Sequence, residues 1–494
     1  MAVTSIWDVC ELKMNIISCL REDKCDADLA RCARVHRSWT EFALDALWFG
    51  YPGTTCEENR MRTTALPSLP PDRRQKYASR IGVLVFTAFD GPSVHAAFDK
   101  LAFPRLKEVV LHNIGIGFVK LLRYLQPTLE SLRLTDNSEN RRKWVLFLNK
   151  VAQQCPSLKK ISIRARDVPV KSAYLARFFR SIRPRVVTLG CGQDQMLTCE
   201  VLSALSDNKC LRSLDLVGEM RDCEEIKLIQ LQRFLSVTGK PFANLTRLNL
   251  FLEAKAIPLL AQCFPALTWL RLGLDANRGD ELTLKPLGNM SQLRYLEIVG
   301  KGIKNEHKLP ARAFVPLGSL EQLRSLNIST SFSPCCINQY DSVEPGSFNS
   351  EHKFTRADAS AMFSRLTALE HLSIFVGGDE IGRLYGSLSK YCPSLSSIQL
   401  MGDFDPQHLI QANAPVLGNV RKLSIENIKP TMSSPLVARL IYDFAPKLEK
   451  LSFTGEYSEL FETRQIYTAW EKYRSMQHLF KSGKSSRFEG LRNQ

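Results

Sequence analysis

From residue 81 to residue 453 one arrangement of positions recurs: apolar, two variable, apolar, one variable, apolar. The copies in the first half are Ile81-Leu84-Phe86, Leu106-Val109-Leu111, Leu129-Leu132-Leu134, Leu158-Ile161-Ile163, Val186-Leu189-Cys191 and Leu211-Leu214-Leu216. Those that follow are Leu245-Leu248-Leu250, Leu267-Leu270-Leu272, Leu293-Leu296-Ile298, Leu323-Leu326-Ile328, Leu369-Leu372-Ile374, Leu395-Ile398-Leu400, Val420-Leu423-Ile425 and Leu448-Leu451-Phe453. Their first positions lie mostly 22 to 30 residues apart, with two longer intervals of 34 and 46. The last two apolar residues of each copy alternate with variable ones, which is the period of a short strand with one buried face.

Between the copies run stretches of helical period, including Lys143–Cys155, Ser172–Ile182, Glu224–Val237 and Asp379–Tyr391. A proline often precedes the next copy (Pro104, Pro127, Pro156, Pro265, Pro393, Pro446), where it ends the helix and turns the chain toward its strand. One strand and one helix cannot bury an apolar face alone, so the units must stack. An ordinary parallel-sheet domain would carry phosphate-binding loops and strands without a fixed period, and the sequence has neither. The pattern predicts the α/β class: a short N-terminal helical unit, then a curved solenoid of about 13–14 strand–helix repeats with the parallel sheet on its concave side. Contacts between neighbouring repeats only would leave that concave surface free for a partner.

This stretch resembles the leucine-rich-repeat superfamily, in a degenerate form that mostly lacks the asparagine or cysteine expected later in each repeat. The domain plan is then residues 1–50, a linker over 51–79, repeats over 80–455 and a C-terminal segment over 456–494. Residues 329–357, rich in Ser and Asn with Pro334, Pro345 and Gly346, read as a long polar loop inserted in the repeats. Glu462–Phe480 reads as a helix capping the last repeat, followed by a basic tail from Lys481. Tyr51–Pro71 reads as a turn-rich connection that orients the N-terminal unit against the repeats.

The first fifty residues follow a different period. Leu12, Ile16, Ile17 and Leu20 mark one face of a helix. Asp26 is placed to cap a second helix carrying Leu29, Cys32, Ala33 and Val35, and Ser38 with Glu41 forms a capping box for a third. The segments Ile6–Leu12, Leu29–Trp39 and Ala43–Trp48 resemble an F-box, of the kind that fungal proteins pair with degenerate leucine-rich repeats. The family's Leu-Pro entry is here Val9-Cys10, and its Val-Cys-Arg-x-Trp is here Val35-His36-Arg37-Ser38-Trp39. The resemblance implies docking on a Skp-family adaptor of a cullin–RING ubiquitin ligase, with the repeats selecting a protein substrate. Carried over by position, the docking surface is Val9, Cys10, Leu12, Ile16, Leu20, Leu29, Val35, Trp39, Leu47 and Trp48. A helical cap for the solenoid is the alternative reading of this unit, and a repeat scaffold outside ubiquitin ligation is the alternative function.

Composition changes this picture little. The chain has 494 residues, 44% of them hydrophobic, and no apolar run approaches a membrane span. No signal peptide is evident. Fourteen scattered cysteines with no C-x-x-C pair suit a reducing compartment, cytosol or nucleus, and call for no disulfide framework or metal. No catalytic motif has its partners: Gly483-Lys484-Ser485 has His478 where a phosphate loop needs glycine, and Gly115-Ile116-Gly117 lacks the third glycine. Neither an enzyme nor a cofactor is expected.

Charge is more informative. Lys and Arg number 66 against 50 Asp and Glu, a net +16. Residues 141–185 concentrate it, with thirteen Lys and Arg against Asp167 alone, whereas residues 1–50 carry six against eight. So local a patch points to an acidic or phosphorylated substrate rather than to nucleic acid, with a merely solvated helical face as the alternative. Arg133, Lys160 and Arg164 are its members expected on the sheet. Three later repeats place Arg247, Asn249 and Phe251, then Trp269, Arg271 and Gly273, then Tyr295, Glu297 and Val299 at variable strand positions. Arg247, Phe251, Trp269, Arg271 and Tyr295 thus form a candidate binding hot spot. Cross-strand packing that only stabilises the ladder is the other reading.

Overall fold

The computed structural model describes residues 10–23, 25–51, 56–87, 90, 92–112, 122–136, 141–165, 171–191, 198–216, 226–239, 242–275, 284–301, 311–328, 356–375, 381–411, 416–428, 432–454 and 461–481. Of the loop expected over 329–357, residues 329–355 lie outside them, as does the tail beyond 481, and residues 356–357 open a helix instead. The chain forms two compact units, Met1–Glu224 and Glu225–Gln494.

In the first unit α1 (Cys10–Glu22), α2 (Asp26–Val35) and α3 (Arg37–Phe49) precede α4 (Cys56–Ala65) and α5 (Pro71–Ala78). Six strands follow: β1 (Val83–Phe86), β2 (Glu108–His112), β3 (Ser131–Asp136), β4 (Lys160–Ala165), β5 (Val186–Cys191) and β6 (Ser213–Asp215). Among them return α6 (Pro92–Phe98), α7 (Arg141–Gln154), α8 (Ser172–Ile182) and α9 (Cys199–Ser206). Each strand lies parallel beside the next in sequence. The second apolar position of the repeat forms one ladder, Val109–Leu132–Ile161–Val187–Leu214, buried throughout.

That ladder corrects one copy of the motif. Val187, not Leu189, pairs with Ile161, and Leu189, not Cys191, pairs with Ile163. The fifth copy is therefore Pro184-Val187-Leu189, and Val186 takes the half-buried position beside Lys160. The copy read from the sequence is thus two residues out of register, a shift that keeps Leu189 on the buried face because side chains alternate with period two; Pro184 at the first apolar position hid the true copy.

The second unit holds β7 (Arg247–Leu252), β8 (Trp269–Asp275), β9 (Tyr295–Lys301), β10 (Ser325–Ile328), β11 (His371–Phe375), β12 (Ser397–Phe404), β13 (Lys422–Ile428) and β14 (Lys450–Phe453). Its helices are α10 (Leu228–Thr238), α11 (Leu260–Cys263), α12 (Arg356–Phe363), α13 (Ile381–Tyr391), α14 (Gln407–Gln411), α15 (Ser434–Phe444) and α16 (Phe461–Lys481). The same ladder runs Leu248–Leu270–Leu296–Leu326–Leu372–Ile398–Leu423–Leu451. Three connections contain 3-10 turns, Ala254–Leu259, which runs into the short α11, Lys285–Asn289 and Ala311–Ser319. Each contains a proline (Pro258, Pro286, Pro316), which removes a backbone donor and disfavours a continuous α-helix. The α/β repeat architecture read from the pattern is the one each unit adopts, with six parallel strands in the first and eight in the second, in sequence order, among the described residues.

No helix among the described residues is long and apolar enough to cross a membrane. The repeat cysteines pack as small hydrophobes: burial pushes the thiol of Cys155 up to about 11 and those of Cys263 and Cys392 up to about 12. Since the thiolate is the reactive form, maleimide at pH 7 is expected to label the exposed Cys19 and Cys210 and to spare these three until the chain is denatured. Peptide mass spectrometry reads the sites; native labelling of Cys263 would contradict this packing.

Candidate partner-binding surfaces

The N-terminal helices close around a core of Ile17, Leu29, Trp39, Ala43 and Ala46, with Ile16, Leu20, Cys32, Ala33, Phe42 and Leu47 packed partly buried against it. Two expected docking residues are thereby reassigned. Leu29 and Trp39 are interior, and an amphipathic pattern cannot separate a bundle's own core from a surface reserved for a partner. Trp48 turns toward α5, its ring 4.8 Å from that of Tyr77. Leu12 is half-buried. Val9 and the Cys10 side chain lie outside the described residues. Val35 stands open, 76% exposed at the end of α2, and Met14 on α1 is 55% exposed. Met14 was missed, although an apolar residue off the 12-16-17-20 stripe was the available signal.

The caps also differ from expectation. Asp26 is the first residue inside α2, and its carboxylate instead accepts from the Tyr51 hydroxyl (2.6 Å) and pairs with Arg62 (2.9 Å). At α3 the His36 ring nitrogen accepts from the Ser38 amide (3.2 Å), and Glu41 is drawn away to Arg80. No Ser38–Glu41 box forms.

Those partners belong to a clamp that the sequence did not reveal. Within the presumed turn-rich linker residues 56–65 are helical, and this α4 carries Asn59, Arg62 and Thr63, all buried. Arg62, 6% exposed, bonds the Leu47 carbonyl and Asp26 and lies over the Tyr51 ring at 4.8 Å. Asn59 returns two bonds to the Tyr51 backbone, at 2.8 and 2.9 Å. Burial and the Asp26 hydrogen bond push the Tyr51 hydroxyl up to about 12. Arg80, 8% exposed, pairs with both Glu41 and Asp45, and Arg105 reaches Asp45 at 3.0 Å. Hydrogen bonding to Arg80 holds the Glu41 carboxyl below its usual range.

At the junction Gly50 ends α3 with φ 88°, a left-handed conformation suited to glycine. A Cβ there would come within 2.9 Å of the Asn59 amide oxygen. Thr63 accepts from the amide of Val85 (3.2 Å), and all four residues of β1 are buried. The stretch thus covers the first strand, a usual way of blunting an exposed sheet edge.

The basic positions of the first unit fall on three rows of the sheet. Lys160 aligns with Ser131, Arg133 with Ser162, and Arg164 with Thr135. Lys160 is exposed, but Arg133 is already paired with the buried Glu108 at 2.8 Å. Lys107 and Lys159 are likewise held by Glu130, at 3.1 and 2.7 Å. Arg177, Arg180, Arg183 and Arg185 are exposed, the first two on α8, whose other side buries Leu175, Phe178, Phe179 and Ile182. Much of the positive patch is therefore compensated or lies on a helical face.

The second unit brings its candidates together. Arg247, Trp269 and Tyr295 occupy one row across β7, β8 and β9. The Arg247 guanidinium sits 4.1 Å from the Trp269 ring centre, and the Trp269 and Tyr295 rings stack at 4.8 Å with 9° between planes. One row along, Arg271 pairs with Glu297 (3.3 Å), which also accepts the Tyr295 hydroxyl (2.9 Å). Burial and that bond push the Tyr295 hydroxyl up to about 12, so it remains a neutral donor at physiological pH. On the third row Phe251 spreads over Gly273, where any Cβ would meet its ring at 2.0 Å. The cross-strand packing foreseen as the alternative is present, and it leaves Arg247 exposed and the two stacked rings part-exposed. Such a stack presents rigid, partly desolvated surface that loses little entropy on contact with a partner.

Among the described residues no cluster of His, Cys, Asp and Glu could hold a metal. No family model and no curated protein matches the chain. Among solved structures, the leucine-rich repeat-containing protein LegL7 from Legionella pneumophila aligns over 79% of this chain and 98% of its own, at 12% identity and a TM-score of 0.35. The complex of Rad7 and Elc1 in yeast aligns over 85% of this chain and 98% of the matched one, at 15% identity and a TM-score of 0.36. Neither likeness bears on function.

Proposed function

We propose that the chain is the substrate-recognition subunit of a Skp/cullin/F-box ubiquitin ligase, acting in the cytoplasm or nucleus by tethering rather than by chemistry. The helices α1–α3 dock on a Skp-family adaptor, and the exposed face of the repeat sheet receives a protein substrate. The observation that carries this reading is a small helical unit with its own core, clamped to the first repeats, that leaves Met14 and Val35 in solvent. Large exposed apolar side chains in so small a unit favour a surface completed by a partner. A second reading, a repeat scaffold outside ubiquitin ligation, draws support from Leu29, Trp39 and Trp48, which are engaged within the chain and reduce the apolar face available for docking.

Mixing the purified chain with a Skp-family adaptor on a sizing column separates the two. A co-eluting complex that is lost in the Met14→Lys, Val35→Lys double variant, with its circular dichroism unchanged, is the expected result. Wild-type protein that elutes alone leaves the scaffold reading.

A further inference from the structure

The aromatic stack of the second unit ends beside a gap of defined width. Along its row the position after Tyr295 is Ser325 on β10, and the next is His371 on β11. Ser325 is too short to cover the Tyr295 face turned away from Trp269, whereas the His371 side chain is exposed. Two strand spacings, about 9.6 Å, separate the Tyr295 and His371 positions. Stacked rings sit about 4.5–7 Å apart, so the interval accommodates one planar group against both neighbours. Trp269 and Tyr295 already stack at a single strand spacing, 4.8 Å. The phenol is fixed from behind by Glu297, itself held by Arg271.

Beyond His371 the row continues through Ser397 on β12 to Lys422 on β13 and Lys450 on β14. Both lysines are exposed, and among the described residues neither is paired with a carboxylate. The acids at the adjoining positions are taken up elsewhere: Glu370 by Arg324 at 3.3 Å and Glu449 by Arg421 at 3.0 Å. Glu426 also lies on β13, but four residues on from Lys422, about 13 Å along the strand. Beside this row runs a neutral one, Asn327–Ser373–Gln399–Ser424, offering amides and hydroxyls to a peptide backbone.

We propose that this row recognises an extended segment of a protein partner. The segment inserts one aromatic side chain over Ser325, between Tyr295 and His371, and sets an acidic group on Lys422 and Lys450. Three to four strand steps separate the two subsites, about 14–19 Å, which an extended chain covers in roughly four to six residues. The spacing between aromatic and acidic residue is thus the specificity element. Two uncompensated lysines and a carboxylate beside the stack favour a peptide over a nucleic acid, whose backbone needs a continuous basic track. The proposal deepens the reading of the sheet as the substrate surface and is independent of adaptor docking.

The test uses the full-length chain and fluorescein-labelled dodecapeptides of Gly and Ser carrying one Phe and one Glu, or one phosphoserine, separated by one to nine positions in either order. Anisotropy titrations are expected to give tightest binding at separations of four to six, weakening about tenfold outside that window. Ser325→Phe fills the gap from within the chain and is expected to abolish the optimum, with thermal melting and adaptor capture unchanged; Ser325→Ala is expected to keep it. Lys422→Glu with Lys450→Glu is expected to remove the preference for the acidic residue. The proposal is overturned by no peptide binding, by binding indifferent to separation, by a Ser325→Phe chain that binds like wild type, or by tighter, steeply salt-dependent binding of oligouridylate. Failure of wild-type adaptor capture removes the ligase reading and leaves this site standing.

Discussion

Replacing Arg62 with alanine is expected to destabilise the N-terminal helices by about 3 kcal/mol while the repeats stay folded. The guanidinium is almost fully enclosed, and its removal takes the donor from the Leu47 carbonyl and weakens the support of the Asp26 carboxylate and the Asn59 amide oxygen, which keep their bonds from Tyr51. It also withdraws the cation from the Tyr51 ring. Asp26 is partly exposed, so water recovers some of its loss, which keeps the cost below that of a wholly buried charge. Lysine cannot restore the fork that serves Leu47 and Asp26 together, so Arg62→Lys is expected to rescue little. Hydrogen exchange read by mass spectrometry should show lost protection over residues 10–65 with residues 81–136 unchanged; uniform loss across both would mean that the clamp is not a separable element. The neighbouring Arg80–Glu41 pair adds a pH signature. Its carboxyl is held below the usual range, so the contribution is complete above the ordinary glutamate range and is lost as pH falls from there through the carboxyl's own lowered value.

Why this clamp escaped the sequence, while the repeats did not, follows from what each depends on. A strand position in the repeat is fixed by burial against its neighbour, and fourteen copies of one spacing make that legible without knowing any contact. The misread register, in the fifth copy, is where Pro184 stands at the first apolar position and Val186 two residues on takes its place in the pattern. Helix α4, by contrast, has a polar sequence, Cys-Glu-Glu-Asn-Arg-Met-Arg-Thr-Thr-Ala, with no apolar stripe. It is held by Asn59, Arg62 and Thr63, whose partners lie 8 to 36 residues away. Polar partners at that distance leave no periodic trace. The Ser38–Glu41 box failed for the same reason, because Arg80 outcompetes a local amide for Glu41. On the sheet, the two-residue period identified Arg247, Trp269 and Tyr295 as one row. That they stack on each other, and that Ser325 interrupts the stack, depends on rotamers that the pattern does not encode.

Trp39→Ala is expected to unfold the three-helix unit outright, costing about 3–5 kcal/mol from a core with only five buried residues. Its four buried companions are Ile17, Leu29, Ala43 and Ala46, two of them alanines, so the indole supplies much of the buried apolar volume. Adaptor capture should disappear in this variant, but so should the protection of α1–α3 against proteolysis. Val35→Lys separates contact from folding. The site is solvent-exposed at the C-terminal end of α2, where a cation is favoured by the helix dipole, so stability should stay within about 0.5 kcal/mol of wild type. If both variants lose the adaptor and only Trp39→Ala loses protease resistance, the docking surface lies at the open ends of the helices rather than along the tryptophan position that the family pattern suggests. Adaptor capture by Val35→Lys at wild-type strength would move the interface away from α2, and capture by a proteolytically labile Trp39→Ala chain would show that docking refolds the unit.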